Sequence, residues 1–121
     1  MIGDTLLILA SHEGHRDVVN LLLQRGADVN ICNVNGGGPL HHAAEKGKDL
    51  IVNILVERGV EVNKARDDGD TPLYIACGKG HDKIVNILVE RGAEMNKTDC
   101  AGRTPLYKAA LYGHDKVVNN L

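Results

Sequence analysis

The sequence contains no tryptophan and no phenylalanine, and three tyrosines are its only large aromatic residues among 121 positions. A core of bulky aromatic side chains is therefore excluded, and leucine, isoleucine, valine and alanine must supply the packing. With 43% apolar and 25% charged residues, the composition is nevertheless that of a folded globular domain and not of a disordered chain. Small aliphatic side chains suit a fold made of thin layers.

An excess of basic residues is also missing, since the formal net charge is −2. Binding to a nucleic-acid backbone needs a broad basic surface, so this composition argues against DNA or RNA as a partner. No apolar run approaches the roughly 20 residues of a membrane-spanning helix, so direct membrane insertion is not expected. Residues 1–10 carry no basic residue ahead of their leucine-rich patch, and we interpret them as part of the fold and not as a secretory signal.

The chain does contain a strict internal repeat with a period of 33 residues. Shifting the sequence against itself by this distance aligns identical residues in four successive units. These positions are Leu7, Leu40, Leu73 and Leu106; Ala10, Ala43, Ala76 and Ala109; Gly14, Gly47, Gly80 and Gly113; and Val19, Val52, Val85 and Val118. Such a period is typical of a solenoid, in which each unit stacks only on its neighbours. We therefore expect one domain over 1–121, with repeats of about 1–32, 33–65 and 66–98 and a partial repeat over 99–121.

The third unit shows the local pattern most fully. Residues 67–70 form a turn cluster, in which Gly69 supplies a positive φ and aspartate side chains bond to their own backbone. Thr71 then offers its hydroxyl as a helix N-cap, and Pro72 occupies the first helical position, where its missing N–H is no loss. Apolar residues follow at spacings of three and four until Gly80 ends the helix after about two turns.

A second helix is predicted from near Asp82, whose charge suits a helix N-terminus, to Arg91, and Gly92 stops it. The segment 93–99 then returns to the next turn as an extended arm. Each unit is thus a turn, a short helix, a loop and a longer helix. One such unit cannot bury its own apolar faces, so the stacking of neighbours must form a continuous core. The predicted fold class is all-α.

These motifs resemble the ankyrin repeat family. The resemblance rests on Thr-Pro-Leu-Tyr at 71–74, Gly-His at 80–81 and Gly-Ala-Asp-Val-Asn at 26–30, and it covers essentially the whole chain. It implies an ankyrin solenoid of stacked helix-turn-helix units with β-turn loops between them. In this family the closing asparagine can be a substrate of asparaginyl hydroxylation, so the resemblance permits that modification at the matching Asn30, Asn63 and Asn96.

Three departures from the pattern carry expectations. Leu6 replaces the proline of the later units, which is common at a chain start or in a unit cut out of a longer array. Gly38 stands where threonine caps the other first helices and follows two further glycines, so we predict that 36–38 is the loosest internal turn. The last unit reaches Leu121 in the middle of its second helix without a polar cap, which favours either a longer array or self-association through this end.

Cysteine is scarce, and the positions of the three cysteines argue against a disulfide. Cys32 and Cys100 occupy turns two stacked repeats apart, farther than the roughly 7 Å limit between the Cα atoms of a bridge. Cys77 takes a small-residue position that is serine or alanine in the other units, which indicates buried packing. Reduced thiols favour an intracellular, cytoplasmic location, and a nuclear one is also compatible.

Histidines are the candidate metal ligands. His12 and His15 lie three residues apart with Gly14 between them, whereas a zinc-protease helix needs two histidines four apart on one face. Histidine also recurs with the repeat at the Gly-His break, and we interpret that position as structural. His41 is expected to tie one turn to the next through a hydrogen bond. The recurring histidines are His15, His81 and His114.

No motif predicts catalysis or a cofactor. The glycine-rich segments 36–38 and 78–80 lack the lysine followed by serine or threonine that a phosphate loop requires. No serine, histidine and aspartate set lies outside the repeat-defining positions. We therefore predict no enzyme, no metal ion and no cofactor.

Residues without a repeat-defining role carry the functional information. They lie at turn tips and on the inner face of each first helix, which a repeat stack aligns into one concave strip. The acidic third turn favours a basic segment of a partner, although aspartate is equally typical of a solvated turn. Leu111 and Tyr112 are either an interface anchor or a surface covered by a following repeat or a second copy. The candidate partner-binding residues are Asn35, Gly37, Glu45, Lys46, Asp67, Asp68, Asp70, Lys79, Ala101, Arg103, Leu111 and Tyr112.

The sequence therefore predicts a non-catalytic protein–protein interaction module that binds a protein or peptide through its concave face. The alternative prediction is a structural spacer or autoinhibitory segment of a larger protein.

Overall fold

The computed structural model describes residues 2–121, with side chains from residue 5 onward. Within that range the regular structure is α-helical and there is no β-strand, which confirms the predicted all-α class. The eight helices are α1 Ile2–Glu13, α2 Arg16–Gln24, α3 Pro39–Lys46, α4 Asp49–Glu57, α5 Pro72–Lys79, α6 Asp82–Glu90, α7 Pro105–Leu111 and α8 Asp115–Asn120. They form four hairpins in a row, as the period of the sequence predicts.

The first helices of the later repeats begin as predicted. Thr71 Oγ1 accepts a hydrogen bond of 3.2 Å from the backbone N–H of Tyr74, and a proline follows each cap at the first helical position. Gly80 ends α5 in the left-handed region with φ 75°. α1 is longer, at 12 residues, because Leu6 keeps its N–H and does not fix a helix start in the way that proline does.

The second helices also begin and end close to their predicted bounds. α6 starts at Asp82 and ends at Glu90, one residue before the predicted end. Gly92 follows with φ 89°, so the chain turns where the sequence indicates. α4 and α8 likewise start at aspartate, where the carboxylate faces the positive end of the helix dipole.

The core is a continuous layer between neighbouring hairpins. α1 packs on α3, α3 on α5 and α5 on α7, while α2, α4, α6 and α8 form the outer row. Equivalent positions of the repeat are buried in successive units, as in Leu7, Leu40 and Leu73, and the small-residue position is fully buried at Ser11, Ala44 and Cys77. The predicted burial of Cys77 is confirmed, and that burial raises the pKa of its thiol to about 12.

Histidines bind neighbouring repeats together. His41 Nδ1 accepts from the Gly38 N–H at 3.1 Å, and its Nε2 donates to the Lys64 carbonyl at 2.7 Å, which confirms the predicted bond between turns. The Gly-His breaks behave alike. His81 Nε2 donates to the Glu45 carbonyl at 3.1 Å, and the His114 Nε2 donates to the carbonyl of Gly78 at 3.0 Å. These bonds support the structural interpretation of the recurring histidine.

The closing asparagines have a similar role on the outer side of the stack. Asn30 Oδ1 accepts from the Glu61 N–H at 2.8 Å, and Asn63 Oδ1 accepts from the Glu94 N–H at 2.7 Å. Each asparagine thereby fixes the return segment of one repeat to that of the next. All three cysteines are free, as predicted. Among the residues that the structure describes, no helix is long and apolar enough to cross a membrane.

Candidate functional site

The turns that open the second, third and fourth repeats lie on one side of the stack and share a single backbone geometry; we number each turn by its repeat. The N–H of their first residue donates to the carbonyl four residues on, from Asn33 to Gly37 at 2.8 Å and from Asp99 to Arg103 at 2.9 Å. In the third turn the N–H of Arg66 donates to the carbonyl of Asp70 at 2.9 Å. Successive turns are also joined, since the N–H of Asp67 donates to the carbonyl of Asn35 at 2.9 Å. The turn tips therefore stand on a well-bonded frame.

In the fourth turn the first residue is an aspartate with four hydrogen bonds. Asp99 Oδ1 accepts from the N–H groups of Ala101 and Arg103, both at 2.9 Å. Its Oδ2 accepts from the Tyr74 hydroxyl at 2.6 Å and from Arg103 Nε at 2.9 Å. The Tyr74 bond, followed by those of Arg103, holds the pKa of the Asp99 carboxyl well below its usual range, and burial raises the pKa of Tyr74. Arg103 thus serves an internal ion pair.

The third turn reverses this charged pair. Arg66 stands where the fourth turn has aspartate, and Asp70 stands where it has arginine. The Arg66 guanidinium lies 3.3 Å from Asp70, 3.3 Å from Asp68 and 3.5 Å from Glu45 of the preceding repeat. Because arginine cannot accept the turn amides, Asp68 Oδ1 accepts the Asp70 N–H instead, at 3.0 Å. Burial, and then the nearby Asp68, raise the pKa of Asp70.

Arg66 lines two depressions beside the turns, and we take this side of the stack as the concave face of the predicted solenoid. The larger one, which we call the inner groove, has a volume of about 430 Å³. The smaller one, which we call the turn pocket, has a volume of about 320 Å³. The inner groove is lined by Glu45, Arg66, Asp70, Tyr74, Ile75, Gly78, Lys79, Lys108 and Tyr112. The turn pocket is lined by Asn33, Asn35, Gly37, His42, Arg66, Asp67 and Asp68.

The two depressions differ in charge. In the inner groove Arg66, Lys79 and Lys108 outnumber Glu45 and Asp70, so the lining has one excess positive charge. In the turn pocket one arginine faces two aspartates, and its lining has one excess negative charge.

His42 does not change that balance near neutral pH. Burial lowers its pKa, and so does the neighbouring His12, whose Nδ1 lies 3.2 Å from His42 Nδ1. Across the residues whose side chains are described, no group of three histidine, cysteine or acidic side chains is arranged to hold a metal ion.

Lys108 forms one wall of the inner groove in a defined position. Its Nζ lies 5.4 Å from the centroid of the Tyr74 ring and 5.1 Å from that of Tyr112, within the range of a cation–π interaction. Its side-chain stem packs over Gly78, where an added Cβ would lie 3.0 Å from Lys108 Cγ. The other units carry His12, Glu45 and Leu111 at the Gly78 position. The absence of a side chain at Gly78 therefore makes room for the stem of Lys108.

The structure brings most of the sequence-predicted residues to these two depressions. Gly37 is buried at the edge of the turn pocket, where its N–H donates to Asn33 Oδ1, so it offers backbone and not an exposed tip. Leu111 is exposed beside the inner groove, and Lys46 and Ala101 are exposed outside both linings. The inner groove contains Glu45, Asp70, Lys79 and Tyr112, and the turn pocket contains Asn35, Gly37, Asp67 and Asp68.

Sequence reasoning missed several lining residues. Arg66 carried a usable signal, because the 33-residue register aligns it with Asn33 and Asp99 and makes it the exception at its position. Lys108 carried a weaker one, since its counterparts Ile75 and His42 differ from it without a pattern.

Comparisons with known proteins agree with this architecture. The family model of ankyrin repeats, in three copies, matches residues 2–66 and 40–121. Protein phosphatase 1 regulatory subunit 12A of Mus musculus is 47% identical over 47 residues, which is 39% of this chain and 5% of that protein. Protein fem-1 homolog A-like of Mus musculus is 42% identical over 45 residues, which is 37% of this chain and 7% of that protein. The ADP-ribosylation factor GTPase-activating protein AGD4 of Arabidopsis thaliana is 47% identical over 45 residues, which is 37% of this chain and 6% of that protein.

The chain spans only a small part of the length of these relatives, from 5% to 7%. The family match, by contrast, extends over all eight helices. The Thr-Pro caps, the Gly-His breaks and the bonds of the closing asparagines all recur in its register. The chain belongs to the ankyrin repeat family, whose repeats are generally protein–protein interaction modules.

Proposed function

We propose that this chain is a non-catalytic binding module that holds an extended segment of a partner protein along its concave face. The observation that carries the proposal is the pair of adjoining depressions on that face, the inner groove and the turn pocket, with Arg66 between them. Their frame is ordered by bonds within and between the turns, so little order has to be gained on binding. Tyr112 adds an exposed aromatic ring of the kind that serves as an interface anchor.

The turn pocket is proposed to receive a basic side chain of the partner. Asp67 and Asp68 are exposed there, and only Asp68 has an ion-pair partner among the described residues. A cation from outside would find one carboxylate unpaired and the lining negative overall. The remaining candidate residues of the concave face extend the same surface, with affinity spread over several repeats.

The names of the relatives support a recognition role over a catalytic one. They include a regulatory subunit, a GTPase-activating protein and a probable E3 ubiquitin-protein ligase, the last from Oryza sativa subsp. japonica. The chain matches only 5% to 8% of their lengths, so similar repeats occur in proteins of unrelated activity. A shared recognition element accounts for that distribution. The free thiols favour an intracellular, cytoplasmic site of action, and a nuclear one is compatible.

Charge reversal tests this function. The variant Asp67→Lys is used as bait beside the wild-type chain in pull-downs analysed by mass spectrometry. Asp68 and Asp70 are left intact because both are ion-pair partners of Arg66, and Asp68 also accepts the Asp70 N–H. The matched control is Glu57→Lys, at a residue exposed at the end of α4. A concave-face binder loses its partner in the first variant and keeps it in the control.

One observation favours packing of the fourth unit against a neighbour, either within a structural spacer or in a second copy of the chain. Leu106 and Tyr107 are 46% and 52% exposed, whereas their counterparts Leu73 and Tyr74 in the preceding unit are 1% and 3% exposed under α7. The face of the fourth unit that carries Leu106 and Tyr107 is therefore exposed, whereas the equivalent face of the third unit is covered by its neighbour. If this face mediates self-association, sedimentation at rising concentration will show dimers that Leu106→Asp abolishes. A chain that stays monomeric at high concentration counts against that use of the face.

A further inference from the structure

We propose that the inner groove binds a carboxylate side chain of the partner segment, held by Lys79 and Lys108. This inference rests on the proposed function, in which the turn pocket binds a basic side chain, and adds the chemistry of the contact in the inner groove. Since the turn pocket on the other side of Arg66 favours a cation, the module would recognise an acidic and a basic residue in a fixed order. Such a pattern gives specificity through charge register.

The two lysines are the charges of the groove that have no internal partner. Neither lysine forms an ion pair with a residue whose side chain is described, whereas Arg66 pairs with Glu45 and Asp70. The Lys108 ammonium is instead held over the rings of Tyr74 and Tyr112, which restricts its position before a ligand arrives. A preorganised cation loses less side-chain entropy on binding an anion.

The acidic residues of the groove do not compete for these lysines. Glu45 and Asp70 both lie within ion-pair distance of Arg66, at 3.5 Å and 3.3 Å. One guanidinium balances only one of these two carboxylates, and the two lysines of the lining outweigh the other. The lining therefore has one unbalanced positive charge, which a single carboxylate would balance and a phosphate would exceed.

The shape of the groove fits the same ligand. Because Gly78 has no side chain, the stem of Lys108 lies against the backbone there, and the lysine is held at the groove. An aspartate or glutamate entering here would reach the Lys108 ammonium with its carboxylate and contact Ile75 with its methylene groups. The exposed ring of Tyr112 would cover it from the side.

Selection from a random peptide library displayed on phage tests the inference without a known partner. The wild-type chain is the bait, and enriched peptides are synthesised with each acidic residue in turn replaced by its amide. We expect a conserved aspartate or glutamate whose replacement weakens binding about tenfold. Lys108→Met should cause a similar loss, because methionine retains the packing on Gly78 without the charge. Lys83→Met, at an exposed lysine of α6 outside the groove, is the matched control.

A double-mutant cycle separates this contact from an indirect effect. If Lys108 binds the acidic side chain, Lys108→Met lowers the affinity for the acidic peptide about tenfold. The affinity for the amide peptide should hardly change. Peptides that bind the concave face but tolerate the amide replacement, or that ignore Lys108→Met, overturn the inference and leave the proposed function standing. Enriched peptides that are insensitive to both Lys108→Met and Asp67→Lys, or the absence of any enriched peptide, overturn the proposed function itself.

Discussion

Acidification to pH 5 is expected to weaken the fold through His41. This ring is buried, and both of its nitrogens are used, since Nδ1 accepts from Gly38 and Nε2 donates to the Lys64 carbonyl. Only the neutral ring protonated at Nε2 fits both bonds, because a proton on Nδ1 would face the Gly38 N–H. Burial lowers the pKa of His41 from its ordinary 6.5 to about 4, and the bond to Lys64 opposes part of that shift.

The sign and size of the effect follow from this pKa. Between pH 4 and 6.5 the unfolded chain binds a proton at His41 that the folded chain does not, so the stabilisation is complete above 6.5 and is lost as the pH falls. At about 1.4 kcal/mol for each unit of pKa, the full loss is about 3 kcal/mol. Between pH 7 and pH 5 the expected loss is about 2 kcal/mol, a large part of the stability of a small domain.

Urea unfolding of the wild type and of His41→Gln at pH 7, 6 and 5 measures this contribution. Glutamine does not titrate, so the free energy of unfolding of the variant should fall with pH by about 2 kcal/mol less than that of the wild type. Thr71→Ala is the control, because it lowers stability by about 1 kcal/mol through a lost helix cap and leaves His41 in place. The free energy of unfolding of Thr71→Ala should therefore change with pH as that of the wild type does. Parallel curves for His41→Gln and the wild type would refute the reasoning.

Three further predictions concern local features. Gly80→Ala and Gly92→Ala both place alanine at positive φ, which costs about 1–2 kcal/mol, but only at Gly80 does the new Cβ meet a histidine ring, at 2.7 Å. Urea unfolding should therefore show the larger loss for Gly80→Ala, and equal losses would contradict the contact. Cys77, with its raised pKa of about 12, should react with DTNB only after unfolding, while the other two thiols react in the native protein. Amide exchange should be faster over 36–38 than over 69–71, because the turn at 36–38 lacks a threonine cap. Equal protection of the two segments would contradict this prediction.

The elements of the fold could be predicted from the sequence because their causes are local. The Thr71 cap, the Gly80 stop and the start of α6 at Asp82 each depend on residues within a few positions, and the period repeats them in every unit. The bond of His41 to the next turn was also predictable, since the repeat fixes which turn follows. The length of α1 was not, because a helix start without proline has no equally sharp signal.

The inner groove could not be predicted in the same way. Its wall depends on Arg66 reaching Glu45 across a repeat boundary, and its other side depends on Lys108 lying over Tyr74. Such contacts are set by the spacing and tilt of neighbouring helices, which the period does not specify. The sequence located the strip of variable positions, but the division of that strip into two depressions of opposite charge needed the distances.

The charge reversal in the third turn would explain why the proposed site lies there. In the fourth turn Asp99 occupies the first position and its oxygens accept the turn amides, so this side chain is committed to the fold. When arginine takes that position, Asp68 accepts a turn amide instead, and the guanidinium is free to extend toward Glu45 of the preceding helix. One exchange of sign therefore preserves the turn and also builds the wall between the two depressions. In the proposed module the binding chemistry lies where the repeat departs from its own pattern, because the exchange lets a charged side chain line both depressions.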